Sequence, residues 1–450
     1  MHDADDFIPF ILADAHRSKI LRLMAHGISV TPHHDTESVR QAIIDVLGRK
    51  SLWSLQLAKR YCKHFHGPNR PTRRQIRLWL TSNVGARVSS HKGVTLRRKI
   101  VKTQSFRPRT EQVSSFQLPE IHHVGDLWRF LKLDSWNELA WLVAPNRYPS
   151  LRLQHYRARL VRKRSGQYRI VEAPRSRLKH VQRVILHEIL DQIPVSNTCF
   201  GFVKQRDVKQ FAAEHCCQGV VIRLDLQDFF PSIQTGRVHA LWRFLGYEDE
   251  VATYLTWLCS IPPQAGTLEL IDTLPPTVQR HLGEQCRRDR LPQGAPTSGA
   301  LANLIAYRMD QRFAGFAAKS GGRYSRYADD LAFSWPNLSE SQCERMIHWI
   351  ATTVLECGFQ VNFRKTRIMR NHQQQSLAGV VVNDRPAISR ETVETLRATL
   401  FNCVRYGPVS QNREAHPDYQ SVLNGKIAWV EHIHPSAGLR LRLIYNKIVW

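Results

Sequence analysis

The segment Arg326-Tyr327-Ala328-Asp329-Asp330-Leu331-Ala332-Phe333-Ser334 sets two adjacent carboxylates inside an apolar, strand-like run. Neighbouring side chains on a strand point to opposite faces, so a strand interior has no use for a buried Asp pair. At the tip of a tight hairpin the conflict disappears, because Asp tolerates turn backbone and both carboxylates project together. Asp329 and Asp330 on such a tip form a seat for Mg²⁺, a hard cation that binds through one or two carboxylates plus substrate phosphates. A solvated turn is the plainer reading of the same residues, and the string by itself does not choose.

Upstream lies a third carboxylate. Val220 to Leu224 is a short β-branched run opened by Gly219, the pattern of a buried strand, and Asp225 stands at its end. Pro231-Ser232 turns the chain toward a helix over 235–245, with Thr235 as a candidate N-cap. Asp225 at the mouth of one strand and the pair on a neighbouring hairpin can converge on two metal ions, with the backbone carbonyl of Leu226 as a further ligand. Two-metal sites stabilise the attacking and the leaving oxygen of an in-line phosphoryl displacement. Asp228 reads equally well as a ligand and as a solvated turn residue. Between these groups, Leu291-Pro292-Gln293-Gly294-Ala295-Pro296-Thr297-Ser298 is a Pro/Gly-rich loop running into a helix of small and apolar residues. Small residues admit a substrate close to the backbone, and a helix N-terminus favours anions.

Positioning these groups requires a strand over 220–225, helices over 235–245 and 298–316, a hairpin over 323–335, a helix over 339–357 and a strand over 359–369. Cys343, Met346 and Ile350 recur at helical spacing and mark the core face of the 339–357 helix. Helical periodicity also covers 389–403, 419–431 and 437–448 downstream, and 8–25, 36–47, 52–62 and 72–80 upstream.

Taken in order, Asp225 with Phe229-Phe230, the Leu291–Ser298 loop, Tyr327-Ala328-Asp329-Asp330 and Asn362-Phe363-Arg364-Lys365-Thr366 resemble the palm of bacterial reverse transcriptases, above all those of retrons. The resemblance runs from near Leu127 almost to the end of the chain. Lys163-Arg164, Tyr168 to Pro174, Leu178-Lys179 and Gln182 are similar to the fingers. Leu377 to Asn383 resembles the strand pair that supports a primer end. The region 386–450, with Gly425-Lys426-Ile427-Ala428-Trp429, resembles a thumb that tracks a duplex minor groove. The implied fold is an α+β right-hand polymerase. Fingers and palm, with an antiparallel sheet, would occupy 119–385 and a helical thumb 386–450, after a mainly helical basic region over 1–118. The implied activity is RNA-directed DNA polymerisation by nucleotidyl transfer on two Mg²⁺ ions, in the setting of anti-phage defence. Its partners would be deoxynucleoside triphosphates, a dedicated structured non-coding RNA and its DNA product, with an effector protein or a second copy of the chain beside them.

The resemblance also assigns roles. Asp225, Asp329 and Asp330 would be the catalytic metal ligands, and Lys365 would protonate or neutralise the departing pyrophosphate. Lys163 and Arg169 would hold the triphosphate, Arg being suited to bidentate phosphate contacts, and Gln293 would lie against the incoming nucleotide. Phe230 takes the position of an aromatic gate that collides with a ribose 2′-OH, whereas Phe229 reads as core. Two elements depart from the retron pattern. The Asn-Ala-x-x-His element appears as Phe211-Ala212-Ala213-Glu214-His215, and Val-Thr-Gly appears as Leu377-Ala378-Gly379. His215 and Gly379 remain, and both elements are linked in that family to recognition of its own RNA. A defence-associated reverse transcriptase outside the retrons, making repetitive or weakly templated DNA, stays open on this account. A non-catalytic RNA-binding scaffold sits badly with the intact carboxylates.

Lys and Arg number 64 against 38 Asp and Glu, a formal charge of +26 that calls for a polyanionic partner. A hydrophobic content of 42 % and a charged content of 23 % are ordinary for a soluble globular protein, and basic ribosomal or structural proteins, which share the charge, would not share the carboxylates. Fifteen Lys and Arg lie between residues 51 and 110 with no Asp or Glu among them. A solvated face mixes signs, so a nucleic-acid contact is favoured there, with Arg97, Arg98 and Lys99 at its centre. Nine Cys at uneven spacings, an acidic start and the short apolar run Ile8 to Ala13 fit reduced thiols in the cytoplasm and no membrane span. Cys62-x-His64-x-His66 has no partner cluster to complete a zinc site.

Overall fold

The computed structural model describes residues 20–29, 31, 33–47, 52–66, 71–89, 106–147, 153–163 and 166–450. The chain divides into two compact units, Met1–Arg107 with Glu120–Leu151, and Pro108–Pro119 with Arg152–Trp450.

In the first unit, helices over 20–29, Thr36–Leu47, Leu52–His64 and Arg73–Ser89 share one core built from Ile20, Met24, Ile28, Ile43, Leu57, Tyr61, Ile76 and Leu80. Thr36–Leu47 shows how the pattern dictates the packing. Val39, Ala42, Ile43 and Leu47 fall on one helical face and are the residues buried. Arg73–Ser89 runs beyond the expected end at Leu80. Thr81 and Asn83 turn their polar groups back on the carbonyls of Arg77 and Trp79, at 2.8 and 2.9 Å, so they do not compete with the helix backbone.

The second unit is organised by antiparallel sheet. Strands β1 (Tyr156–Arg162) and β2 (Tyr168–Pro174) form a separate hairpin. Strands β3 (Val220–Asp225), β4 (Arg323–Tyr327), β5 (Asp330–Trp335) and β6 (Arg367–Arg370) make a four-stranded sheet in the order β4-β5-β3-β6. Period-two alternation sorts its side chains between two cores. Phe333, register partner of Ile222, packs on Phe313 of helix Ser298–Lys319, with ring centroids 5.1 Å apart. Val221 and Ala332 instead join a cluster with Phe211, Leu377 and the C-terminal helices Arg390–Tyr406, Tyr419–Ile433 and Pro435–Tyr445. The fold is therefore α+β, with helices covering both faces of the palm-like sheet.

Residues 8–19 of the helix expected over 8–25 lie outside the described residues; the other elements named from sequence recur with two corrections. Thr235 opens helix Thr235–Phe244 but does not cap it; the cap position is Gln234, without a side-chain bond. The strand expected over 359–369 is broken. A single antiparallel bridge joins Val361 to Leu226, a 3₁₀ turn occupies Phe363–Lys365, and β6 begins only at Arg367. The turn is closed by Lys365 and Thr366 amides on the carbonyls of Asn362 and Phe363. Helices Asp249–Cys259, Ala265–Asp272 and Pro276–Cys286 were not foreseen.

Candidate active site

Asp225 ends β3 and Asp330 begins β5, and the antiparallel register places them opposite one another. Tyr327 pairs with Asp330, leaving Ala328 and Asp329 as the two-residue turn of the β4–β5 hairpin. The Leu226 amide donates to the Asp329 carbonyl at 2.8 Å, which locks the turn to the end of β3. Three carboxylates thus share one end of one sheet. Lys365 Nζ lies 2.7 Å from Asp225 Oδ1, and Asn362, at the head of the same turn, donates its amide to the Asp225 carbonyl at 2.8 Å. Arg223 donates from Nε and Nη2 to Asp330 Oδ1 at 3.0 and 2.7 Å. The backbone bonds flanking the Leu226–Val361 bridge accept at the carbonyls of Asp225 and Gln360, so the Leu226 carbonyl is not used by them.

Burial, and then the negative charge of Asp330 and Asp225, pushes the Asp329 carboxyl up to about 6. Burial also raises Asp330, against the opposing pull of Arg223. This is the electrostatic profile of a site with surplus negative charge, which a divalent cation would relieve. Among the described residues no three His, Cys, Asp or Glu side chains are gathered into a ready metal cage. Asp225 and Asp330 are each held by a basic side chain instead. The donor set nevertheless fits Mg²⁺, which is held through one or two carboxylates with substrate phosphates completing its shell.

The turn is braced from beneath by residues that sequence reasoning passed over. Ala328 adopts φ +57°, a left-handed backbone that non-glycine residues seldom occupy. Arg326, fully buried, forks onto Asp310 with Nε···Oδ1 2.8 Å and Nη2···Oδ2 2.7 Å, and its Nη1 donates to the Ala328 carbonyl at 3.1 Å. Asn303 accepts from Arg326 at 3.0 Å and donates to the Gly201 carbonyl at 2.8 Å. Gly201 itself lies against the turn, where an added Cβ would stand 2.5 Å from the Ala328 amide nitrogen. The only sequence signals were a charged residue in an apolar strand and the pair Gly201-Phe202, neither of which points to a partner.

The loop before helix Ser298–Lys319 is bonded to the β1–β2 hairpin. The Glu172 amide of β2 donates to the Gln293 carbonyl at 2.7 Å, and Glu172 forms a buried ion pair with Arg290, just upstream of the loop. Gly294 sits at φ +128° with room for a Cβ only 3.1 Å from the Glu172 carbonyl oxygen. Gln293 is half-buried, Arg169 is exposed on β2, and Lys163 follows β1. Asp228 is bound by His281, Nε2···Oδ2 3.1 Å. Burial pushes its carboxyl up, but His281 and the charge of Lys163 outweigh that and hold it below the usual carboxylate range. Phe230 is half-buried, with its ring 5.4 Å from that of buried Phe229.

Other expected positions lie elsewhere. His215 is fully buried, with its two ring nitrogens 2.8 Å from Ser334 Oγ and 2.7 Å from Ser325 Oγ. It ties β5 to β4 and cannot itself touch a nucleic acid. Phe211 is also fully buried, its ring 5.7 Å from that of Tyr327, so the departure from Asn adds core beneath the turn. Gly379 is exposed at φ +85° in the tip between β7 (Ser376–Leu377) and β8 (Val380–Val381). Ala378 beside it is at φ +47°, and two left-handed residues match the twist of a tight hairpin. Arg97, Arg98 and Lys99 lie outside the described residues. In the Cys62-x-His64-x-His66 run, Cys62 donates to the His34 carbonyl and His64 stacks on Trp79. Among the described residues no helix is long and apolar enough to cross a membrane.

Comparison with known proteins places this geometry. The chain is 40 % identical over 294 residues to the retron Mx65 reverse transcriptase of Myxococcus xanthus, a match spanning 65 % of each chain. It is 32 % identical over 298 residues to the retron Mx162 reverse transcriptase of the same organism, across 63 % of this chain and 59 % of that one. With the retron Ec86 reverse transcriptase of Escherichia coli the identity is 29 % over 250 residues, 55 % of this chain and 69 % of the other. The match thus spans less than two thirds of the length of the two Myxococcus relatives. The sequence pattern of reverse transcriptase (RNA-dependent DNA polymerase) matches residues 161–393. That stretch contains the carboxylates, the turn that carries them and the loop before helix Ser298–Lys319, and the chain belongs to the reverse transcriptase family.

Proposed function

We propose that the protein is an RNA-directed DNA polymerase of retron type, copying a structured RNA into DNA from deoxynucleoside triphosphates. The observation that carries this reading is the register that sets Asp225 opposite Asp330 with Asp329 on the adjoining turn. The reverse transcriptase family works with divalent metal. Two Mg²⁺ ions held by Asp225, Asp329, Asp330 and the Leu226 carbonyl would stabilise the attacking and leaving oxygens of the displacement. The protein's own groups then orient the substrate, since phosphoryl transfer depends on positioning and charge more than on covalent chemistry. Lys163 and Arg169 take the triphosphate, Gln293 lies against the nucleotide, Phe230 excludes a 2′-OH, and Lys365 neutralises the departing pyrophosphate from beside Asp225. Residues 119–385 supply fingers and palm, 386–450 the thumb, and 1–118 a basic surface for RNA.

Retron kinship is supported by the Mx65, Mx162 and Ec86 relatives. Of the departures, Phe211 and Leu377 are buried and Ala378 is half-buried; they alter packing and neither add nor remove a charge. Asp329→Asn tests the reading. It removes one ligand oxygen's charge and no packing, so Mg²⁺-dependent deoxynucleotide incorporation should fall by about 100- to 1,000-fold, as for loss of a group stabilising transition-state charge. RNA binding should stay near wild type, and thermal unfolding should stay level or rise, since the buried charge of Asp329 is disfavoured in the folded state. Incorporation at the wild-type rate would sink the two-metal assignment.

A further inference from the structure

We propose that Phe202 is a second ring of the sugar gate, one that holds Phe230 against the incoming deoxynucleoside triphosphate and meets that nucleotide with its own free face. The proposal deepens the reading of Phe230 given above and rests on it.

Phe202 is 59 % exposed. Its backbone is at φ +59°, the left-handed region that a bulky non-glycine residue avoids. Such a conformation persists only where the surroundings over-determine it, and here they do. The Phe200 amide donates to the Arg326 carbonyl at 2.8 Å, the Gly201 carbonyl accepts from Asn303, and Arg206 Nη1 donates to the carbonyls of Ser196 and Cys199 at 2.7 and 2.6 Å. The segment is therefore pinned to the strand that leads into the carboxylate turn.

Three neighbours fix where the ring stands. Gly201, one residue back, abuts Ala328 of the turn. Gly299, in the first turn of helix Ser298–Lys319, has no side chain, and a Cβ there would lie 2.6 Å from Phe202 Cγ. On the remaining side the ring meets Phe230 edge-on, with centroids 5.7 Å apart and planes at 67°, a favourable aromatic geometry. The Phe202 ring thus packs between the helix that follows the Gln293 loop and the gate, with its chain neighbour Gly201 against the carboxylate turn. Beside that contact the ring keeps 59 % of its surface exposed, and a nucleotide's sugar and base would supply apolar and π surfaces that match it.

Single-nucleotide incorporation on a primer–template, with deoxy- and ribonucleotides of the same base, tests this. Phe202→Ala should lower discrimination against the ribonucleotide by about ten-fold, the scale of one apolar contact in a specificity pocket. The deoxynucleotide KM should rise while kcat stays near wild type, because ground-state contact is what is lost. Phe202→Tyr should restore both. Gly299→Ala keeps the ring but displaces it, and should shift discrimination in the same direction. With a dideoxy-terminated primer, which blocks chemistry, the equilibrium Kd for the deoxynucleotide should weaken in Phe202→Ala. An unchanged ratio and Kd in Phe202→Ala, while Phe230→Ala relaxes selection, would overturn this inference alone. If neither variant relaxes selection, the gate reading of Phe230 falls with it. If only Phe202→Ala does, the two-ring arrangement is wrong.

Discussion

At the scale of single residues, Gly201 decides where the Asp329 carboxylate stands. A side chain at 201 requires something to shift, because its Cβ would press on the Ala328 amide nitrogen at 2.5 Å, and that neighbour is backbone. Ala328 is already held in a left-handed conformation, so the turn has little slack to give. Gly201→Ala is therefore expected to fold, yet to push the turn by a fraction of an ångström to an ångström. A misplacement of that size costs on the order of 100-fold in rate. Single-nucleotide incorporation and thermal unfolding measured side by side check this, and a wild-type rate would show that the turn yields freely. The carboxylates and Lys365 were legible as residue types with a spacing. Gly201, Arg326 and Asp310 were not, because the contacts that give them meaning join residues far apart in the chain.

Among the secondary-structure elements, the β4–β5 hairpin owes its rigidity to His215 as much as to its ladder. The imidazole bridges Ser325 and Ser334 from inside the core. Burial, helped by the charge of Arg323, lowers its pKa to about 3. The unfolded chain titrates this group near 6.5. As pH falls from about 6.5 toward about 3, the unfolded state takes up a proton that the native state refuses. Stability present above that window is therefore lost within it, at about 1.4 kcal/mol per pH unit. His215→Gln removes the titration, so its unfolding free energy should fall by about 2 kcal/mol less than wild type between pH 6.5 and pH 5. Denaturant unfolding at both pH values reads the difference, and parallel losses would show that the ring is protonated in the native state. Sequence placed His215 on a nucleic acid because its chain neighbours matched an RNA-linked element. Only the packing of helix Val208–Ala213 against the sheet reveals a core histidine.

For the whole molecule, the charge of +26 needs a destination. Helix Leu52–His64 exposes Gln56, Lys59, Arg60, Lys63 and His64 along one face, and helix Arg73–Ser89 exposes Arg73, Arg74 and Arg77. No acid lies between residues 51 and 110 to neutralise them. Each phosphate contact made by such a surface releases counterions, so RNA affinity should fall steeply with salt. Replacing Lys59, Lys63 and Arg77 together by Ala should weaken RNA binding and reduce the magnitude of the log–log salt slope by about 2 to 3 if each neutralises one phosphate. Extension of a short primer on a generic template should survive, since the carboxylate site is untouched. A salt titration with an unchanged slope would make these side chains a solvated face and the first unit a docking module for protein.

The sequence by itself carried the motifs of the reverse transcriptase family. Asp225, Asp329, Asp330 and Lys365 are of types and spacings that led to the proposal of metal-assisted phosphoryl transfer. Strands such as 220–225 and the 323–335 hairpin follow from β-branched runs and turn chemistry, which are local. What only the tertiary structure decided are the relations between distant segments: the break that curls Phe363–Lys365 so that Lys365 reaches Asp225, the Arg326–Asp310 fork under the turn, the burial of His215, and Phe202 lodged on Gly299. Each depends on a contact between residues separated by tens to hundreds of positions. Local propensity carries no information about such partners, and a bare glycine or an apolar ring reveals its purpose only beside the group it makes room for.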